Sequence, residues 1–250
     1  MMFLNMTRAI KVCVFAATPL ACFVEAAEFD ADLGLTLSGQ QNHVIGEENE
    51  AELHPYLNLK YGMFVASPEG VGMTTNVGES NQLSALFLMR KSVIDHDDNK
   101  QLAYLGKRKD ATELALHWTH FAPYVDITGT VSMDVSDAHD GYEAKLMLSK
   151  RIETALGSLI PAAAIQYQSD DLVDYYYGVR TSEASSSFSA YKGKASTNAN
   201  VSMTHVYPMT DQWHVATTVA YDYLGDGISD STIVKESGYW SGSMTVFYAF

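Results

Sequence analysis

The feature that most constrains this chain is an alternation of apolar and polar residues with a period of two, which begins near Leu33 and recurs as far as the terminal Phe250. Such a period puts successive side chains on opposite faces of an extended strand. In the last stretch Trp240, Gly242, Met244, Val246, Tyr248 and Phe250 share one face, and Tyr239, Ser241, Ser243, Thr245, Phe247 and Ala249 share the other. In the stretch before it, Trp213, Val215, Thr217, Val219, Tyr221 and Tyr223 oppose Gln212, His214, Ala216, Thr218, Ala220 and Asp222. Runs of about ten residues with aromatics at both ends match one pass of a tilted strand through an outer membrane.

The same reading predicts a weak strand over 33–43 and one long strand over 55–65, with Pro55, Leu57, Leu59, Tyr61, Met63 and Val65 on one face. A shorter strand to Gly78 follows, then strands over 82–90, 113–119, 124–134, 142–151, 159–168, 171–180 and 195–207. The pattern fails over 95–110, where only 102–105 suits a strand, and 181–194 reads as a Ser-rich loop. About twelve strands result, with ten as the alternative. An even number leaves both termini on the periplasmic side, and closure removes every edge strand, which favours a barrel over a sandwich. The fold class is therefore all-β, a transmembrane antiparallel barrel, with residues 27–250 as a single domain.

Residues 1–26 read as a secretory signal, with Arg8 and Lys11 at its positive end, an apolar run over 12–24 and small residues near Ala26. Both cysteines, Cys13 and Cys22, lie within it, so the expected mature chain has no disulfide. Lipid attachment at Cys22 is disfavoured because Pro19-Leu20-Ala21 is a poor lipobox. No later segment has the roughly 18 apolar residues of a spanning helix. The formal charge of −14 argues against nucleic acid, whose phosphates need clustered Lys and Arg.

Several groups of polar residues lie on these faces and in the loops between them. His117 and His120 fall on opposite sides of a strand, which disfavours a metal pair. The segment Asp95-His-Asp-Asp-Asn-Lys100 resembles a calcium loop, but Lys100 and Gly106 replace the Gly and Glu that an EF-hand needs. A rim enzyme built on Ser202, His205, His214 and Asp222 finds no triad, because His205 faces outward while His214 and Asp222 face inward at distant levels. No catalytic residue, metal or cofactor is expected. The inward polar set is Lys60, Arg90, Glu113, His117, Asp126, Asp134, Glu143, Lys145, Arg151, Asn198, Asn200, His214 and Asp222. It reads either as a mutually paired filling of the bore or as the lining of a small-solute pore.

Asp174-Tyr-Tyr-Tyr-Gly-Val-Arg-Thr-Ser-Glu-Ala184, Tyr191, Trp213, Tyr223-Leu224 and Asp230-Ser-Thr-Ile-Val234, closing on Phe247-Tyr-Ala-Phe250, together resemble the MipA/OmpV family of outer-membrane proteins. Thr232 stands where that family usually has Pro. The resemblance implies an outer-membrane location and a barrel in contact with outer-membrane lipid, with Tyr248 and Phe250 as the membrane-insertion signal. One branch of the family is described as a scaffold between a lytic murein transglycosylase and a bifunctional peptidoglycan synthase. Others are described as adhesins, osmotic-response proteins or antigens. The expectation is a non-enzymatic barrel linked to peptidoglycan machinery, with a small-solute channel as the alternative and a lipid- or peptide-modifying rim enzyme behind both.

Overall fold

The computed structural model describes residues 29–49, 51–95 and 99–250. The expected signal, residues 1–26, and the centre of the calcium-loop-like segment lie outside the described residues. The strands in chain order are β1 (Phe29–Gln40), β2 (Ala51–Tyr61), β3 (Phe64–Ser67), β4 (Gly70–Val77), β5 (Asn81–Arg90), β6 (Ala111–Phe121) and β7 (Asp126–Asp134). They continue with β8 (Tyr142–Ser149), β9 (Ile152–Thr154), β10 (Gly157–Gln168), β11 (Ser196–Pro208), β12 (Trp213–Tyr223) and β13 (Gly238–Ala249). Among the described residues two short α-helices, α1 (Asp170–Tyr177) and α2 (Asp226–Ser229), and a 3-10 turn over Thr181–Glu183 sit in the connections.

Each strand pairs antiparallel with its neighbours, and β13 returns to β1 from Asp32↔Ala249 to Gln40↔Ser241, so the sheet closes. The segments β8 and β9 are one strand of the wall. They meet β10 in a single register, with Ser149↔Ala162 and Ile152↔Leu159. Between them Lys150 donates its N–H to the Pro161 carbonyl, but Pro161 has no N–H to return, and the ladder breaks there. The barrel thus has twelve strands. Following the registers once around the wall returns to β1 displaced along the strand, a shear of about 16 and hence a tilt of about 45° and a backbone radius of about 12 Å.

Outward faces carry exposed apolar side chains, among them Leu35, Phe87, Leu116, Val131, Leu146, Ile165, Val201 and Met244. Inward faces carry hydroxyls, amides and charges. Facing threonines bond across strands inside the wall, Thr36 to Thr245 at 2.8 Å and Thr204 to Thr218 at 2.8 Å. This inverted distribution is stable only with a lipid belt around the barrel.

Three sequence expectations are corrected. Residues 55–65 are not one strand: Gly62 takes φ 59°, a two-residue turn with Met63 pairs Tyr61 with Phe64, and the chain reverses. Phe64 therefore points outward with Tyr61, and Val65 joins the inner face. Residues 171–180 are not a strand but α1 and its exit, because Leu172, Val173, Tyr176 and Tyr177 are buried at helical spacing. Residues 102–105 form no strand, and Leu102 and Leu105 are buried in a loop. The missed turn and the extra strand offset each other in the count of twelve.

Candidate functional site: a capped lumen

Connections on the side of the termini are short turns, 62–63, 78–80, 122–125, 155–156 and 209–212. On the other side, residues 91–110, 169–195 and 224–237 are long. Short periplasmic turns and long outer loops are the rule for such barrels, which orients this one.

The long loops fold over the outer mouth as a cap with a hydrophobic core of its own. Val44 from the first loop, Ile94, Leu102 and Leu105 from the third, α1 with Val179, and Leu224, Ile228 and Ile233 from the last pack together, all almost fully buried. Gly193 and Gly178 let the chain pass against α1, since a Cβ at Gly193 would lie 2.3 Å from the Asp174 nitrogen. One ion pair ties the third loop to the loop after α1. Arg108 donates to Glu183 at 3.1 Å and to the Gly178 carbonyl at 3.1 Å, and Glu183 accepts the Gly106 N–H at 2.7 Å. Burial alone would raise the Glu183 carboxyl, but the hydrogen bonds from Arg108, Arg180 and Gly106 and the Arg108 charge outweigh it and hold it at about 2.

His43 enters the cap from the first loop. Its ring stacks on Tyr239 at 4.7 Å and its Nε2 lies 3.2 Å from the Tyr177 hydroxyl. Burial first, and then the Lys235 charge, lower it to about 4, so it is neutral at physiological pH. Burial likewise pushes the Tyr177 hydroxyl far above its ordinary range.

Beneath the cap the inner wall carries one dense charge cluster. Glu113 is fully buried and takes hydrogen bonds from Arg90, from Ser132 Oγ at 2.7 Å and from His139 Nε2 at 3.1 Å. The second Arg90 amino group reaches Glu143 at 2.7 Å, and Gln168 donates to the same carboxylate at 3.1 Å. His139 Nδ1 accepts the Gly141 N–H at 3.0 Å, so the proton resides on Nε2 and points at Glu113. Asp134 faces Glu113 directly across β6 and β7, a like-charge pair that would repel. It instead turns upward and accepts N–H bonds from Ser136, Ala138, His139 and Asp140 at 2.6 to 3.0 Å. That loop, with Asp137 and Asp140 at positive φ, is what places His139 over Glu113.

The other inward residues stand apart from this cluster. Asn200 donates to Asp222 at 2.8 Å, and Asn198 accepts the Gly225 N–H at 2.9 Å, which fastens the last loop to the wall. His117 pairs with Thr130 at 3.0 Å, Asp126 with Lys150 at 3.1 Å, and Arg151 donates to Ser158 at 2.7 Å. Lys60 is exposed at the lower end of β2, and Lys145 lies on the inner face of β8. His214 stacks on Phe247 at 5.2 Å, and Phe247 meets Tyr56 at 5.3 Å, an inward aromatic group near the periplasmic end. Between cluster and cap lies a cavity of about 1080 Å³, reached by Gln40, His43, Gln168, Asn198, Asp222 and Ser241.

Sequence reasoning missed Ser132, His139, Gln168, Lys150, Arg108, Glu183 and His43 as partners. Arg108 and Glu183 lie 75 positions apart, and no spacing rule joins them. His139 had one legible cue, the Asp134-to-Gly141 run rich in turn-forming Asp and Ser.

A closed barrel with an apolar belt, an ionic lumen and a loop cap defines an outer-membrane β-barrel protein, and the chain resides in the outer membrane. Residues 33–250 match the family described as MltA-interacting protein MipA, and the chain belongs to that family. It is 31% identical to the outer membrane protein OmpV of Vibrio cholerae over 70% of this chain and 68% of the relative. It is 22% identical to the putative outer membrane protein YiaT of Escherichia coli over 90% and 92%. It is 28% identical to the MltA-interacting protein of Escherichia coli over 67% and 66%. Two of these relatives are named as outer-membrane proteins and the third as an MltA-interacting protein.

Proposed function

We propose that this protein is a non-enzymatic docking barrel of the outer membrane that binds a cell-wall enzyme, a murein transglycosylase and with it a peptidoglycan synthase, at its periplasmic face. The observation that carries the reading is the cap: a packed core from four loops, pinned by Arg108 and Glu183, over the outer mouth. A lumen held this way suits a rigid anchor better than a free pore. The name of the Escherichia coli relative supports the partner class. Residues 1–26 serve in this reading as the export signal of the 27–250 barrel, and Tyr248 and Phe250 as the insertion signal of the last strand.

In this reading the partner meets the barrel at its periplasmic end. Residues 181–194 belong to the cap on the outer side, so a periplasmic partner would touch the short turns 62–63, 78–80, 122–125, 155–156 and 209–212. Met63, Tyr124, Leu156 and Met209 are exposed apolar side chains in those turns, and Tyr124 is the most exposed of them. Affinity capture from detergent-solubilised envelopes tests the reading. Recovery of a murein transglycosylase that is lost with Tyr124→Ser and Met209→Ser, yet kept when 185–190 is shortened, is the expected result. Loss with the loop variant alone would overturn the placement, and no enzyme with any variant would overturn the docking role.

The second reading, a small-solute channel, is favoured by the cavity under the cap. It predicts stepwise conductance in planar bilayers that rises when the cap is opened.

A further inference from the structure

Among the described residues, and apart from the local ladder break at Pro161, the wall is open at one place. β3 has 4 residues and β4 has 8, while the flanking β2 and β5 have 11 and 10. The β3–β4 hairpin turns over at Pro68 and Glu69, just beyond the Ser67↔Gly70 pair. β2 pairs with β3 only from Leu59 to Tyr61, although it pairs with β1 as far up as Ala51. β5 pairs with β4 only as far up as Phe87, although it pairs with β6 to Arg90. Above the hairpin, β2 and β5 therefore face each other across a gap two strands wide. Overhead, Lys91 Nζ and Glu52 Oε2 approach to 3.6 Å and bridge it. The gap is a framed window.

Which backbone groups face the window follows from the turn. The tight turn after Tyr61 makes Tyr61↔Phe64 the hydrogen-bonded pair, so Leu59, Leu57, Pro55 and Leu53 also point their main-chain groups toward the β3 side. Pro55 thus falls on the open edge, where its missing N–H costs no ladder bond and where proline discourages the addition of a foreign strand.

Depth decides what the window means. Outward aromatics form a lower belt of Phe29, Tyr61, Phe64 and Trp213 and an upper belt of Tyr142, Tyr167, Tyr223 and Trp240. Counting residues along the tilted strands puts the belts roughly 23 Å apart and the tip of the hairpin about halfway between them. An open strand edge is not tolerated in hydrocarbon unless it lines a hydrated cavity. The cavity beneath the cap supplies one, for it extends to Glu52, Arg90 and Lys91 at the inner side of the window. Two of its buried atoms, His43 Nδ1 and Gln168 Oε1, have no hydrogen-bond partner.

The window is apolar where the cavity is polar. Leu53, Leu57, Phe87 and Met89 are exposed on its outer edges, and the inward Val65 and Leu86 stand at one level of its inner sill. We propose that it is a lateral portal through which an amphiphile of the outer leaflet enters the lumen cavity. Its polar head rests among Gln168, Asn198 and His43, and its aliphatic chain leaves between Leu57 and Phe87.

The test uses the full-length barrel in vesicles of a phospholipid brominated on its acyl chain, with both native cysteines replaced and a bimane label on one introduced cysteine. The label on H54C, inward at the window, should be quenched nearly as strongly as on the outward L53C, whereas A220C on the inner face of β12 should not be quenched. Lengthening the β3–β4 hairpin by four residues should fill the window and bring H54C down to the A220C level, with heat-modifiable migration confirming the folded barrel. An unquenched H54C would overturn the portal, as would quenching that the longer hairpin does not relieve. Protection in native envelopes but not in purified vesicles would assign the window to a protein strand and also overturn it. Partner capture is unaffected by these labels, so failure here is distinguishable from failure of the docking reading.

Discussion

The wall and the cap of this barrel are built from similar residues used in opposite senses. In the wall, large apolar side chains such as Leu35 and Phe87 stand more than half exposed, while Glu113 is fully buried. In the cap, Leu102, Leu172 and Ile233 are fully buried and the surface is polar. The difference teaches that burial by itself does not identify the core here. The wall takes its apolar surroundings from lipid and must satisfy its polar interior by pairing, whereas the cap makes its own apolar interior in water.

The sharpest way to break the comparison is to remove the pairing inside the wall. Glu113→Ala leaves Ser132, His139 and one face of Arg90 without their acceptor, and a loss of about 3–5 kcal/mol is expected. Urea unfolding in lipid vesicles measures it, and a loss as small as that of Leu35→Ala would show that the cluster does not hold the wall. A slightly smaller effect is expected in the cap, where Leu172→Ala should cost about 2–5 kcal/mol in local stability. The expected sign is fast proteolysis within 185–190 while the barrel keeps its heat-modifiable migration, because the core of the cap is separate from the ladder of the wall.

Acid should loosen the cap before the wall. His43 is held at about 4 by burial, so protonation favours the unpacked loop. The packing of His43 is fully favourable above pH 6.5, weakens as pH falls below that, and levels off near pH 4, a change of up to about 3 kcal/mol. Glu183 acts at lower pH, since its contribution is present above the ordinary carboxylate range and disappears as pH falls through about 2. Hydrogen exchange of residues 41–47 between pH 7 and 4 checks the first effect, and His43→Gln should flatten it. The smallest effect belongs to a turn. Gly62→Ala places a side chain at φ 59° and should cost about 1 kcal/mol without altering cap or lumen, again by urea unfolding.

How much was legible follows the same division. The period of two determined by itself that the chain is built of two-faced strands, because each strand's environment repeats every second residue, and the aromatic ends of 213–223 and 239–250 favoured a barrel wall over a sandwich. The turn at Gly62 was hidden, since Met63 and Val65 continue the apolar beat of Leu57, Leu59 and Tyr61 straight through it. The helical spacing of Leu172, Val173, Tyr176 and Tyr177 was hidden as well, in a run short enough to read as a strand. Only the tertiary structure decided that 91–110, 169–195 and 224–237 close over the lumen, that Arg108 meets Glu183, that His139 leans on Glu113, and that the hairpin at Pro68 stops short of its neighbours. The physical reason is range: alternation is a property of adjacent residues, whereas a cap contact, an ion pair 75 positions apart and the height of a wall depend on how the closed sheet brings distant segments together.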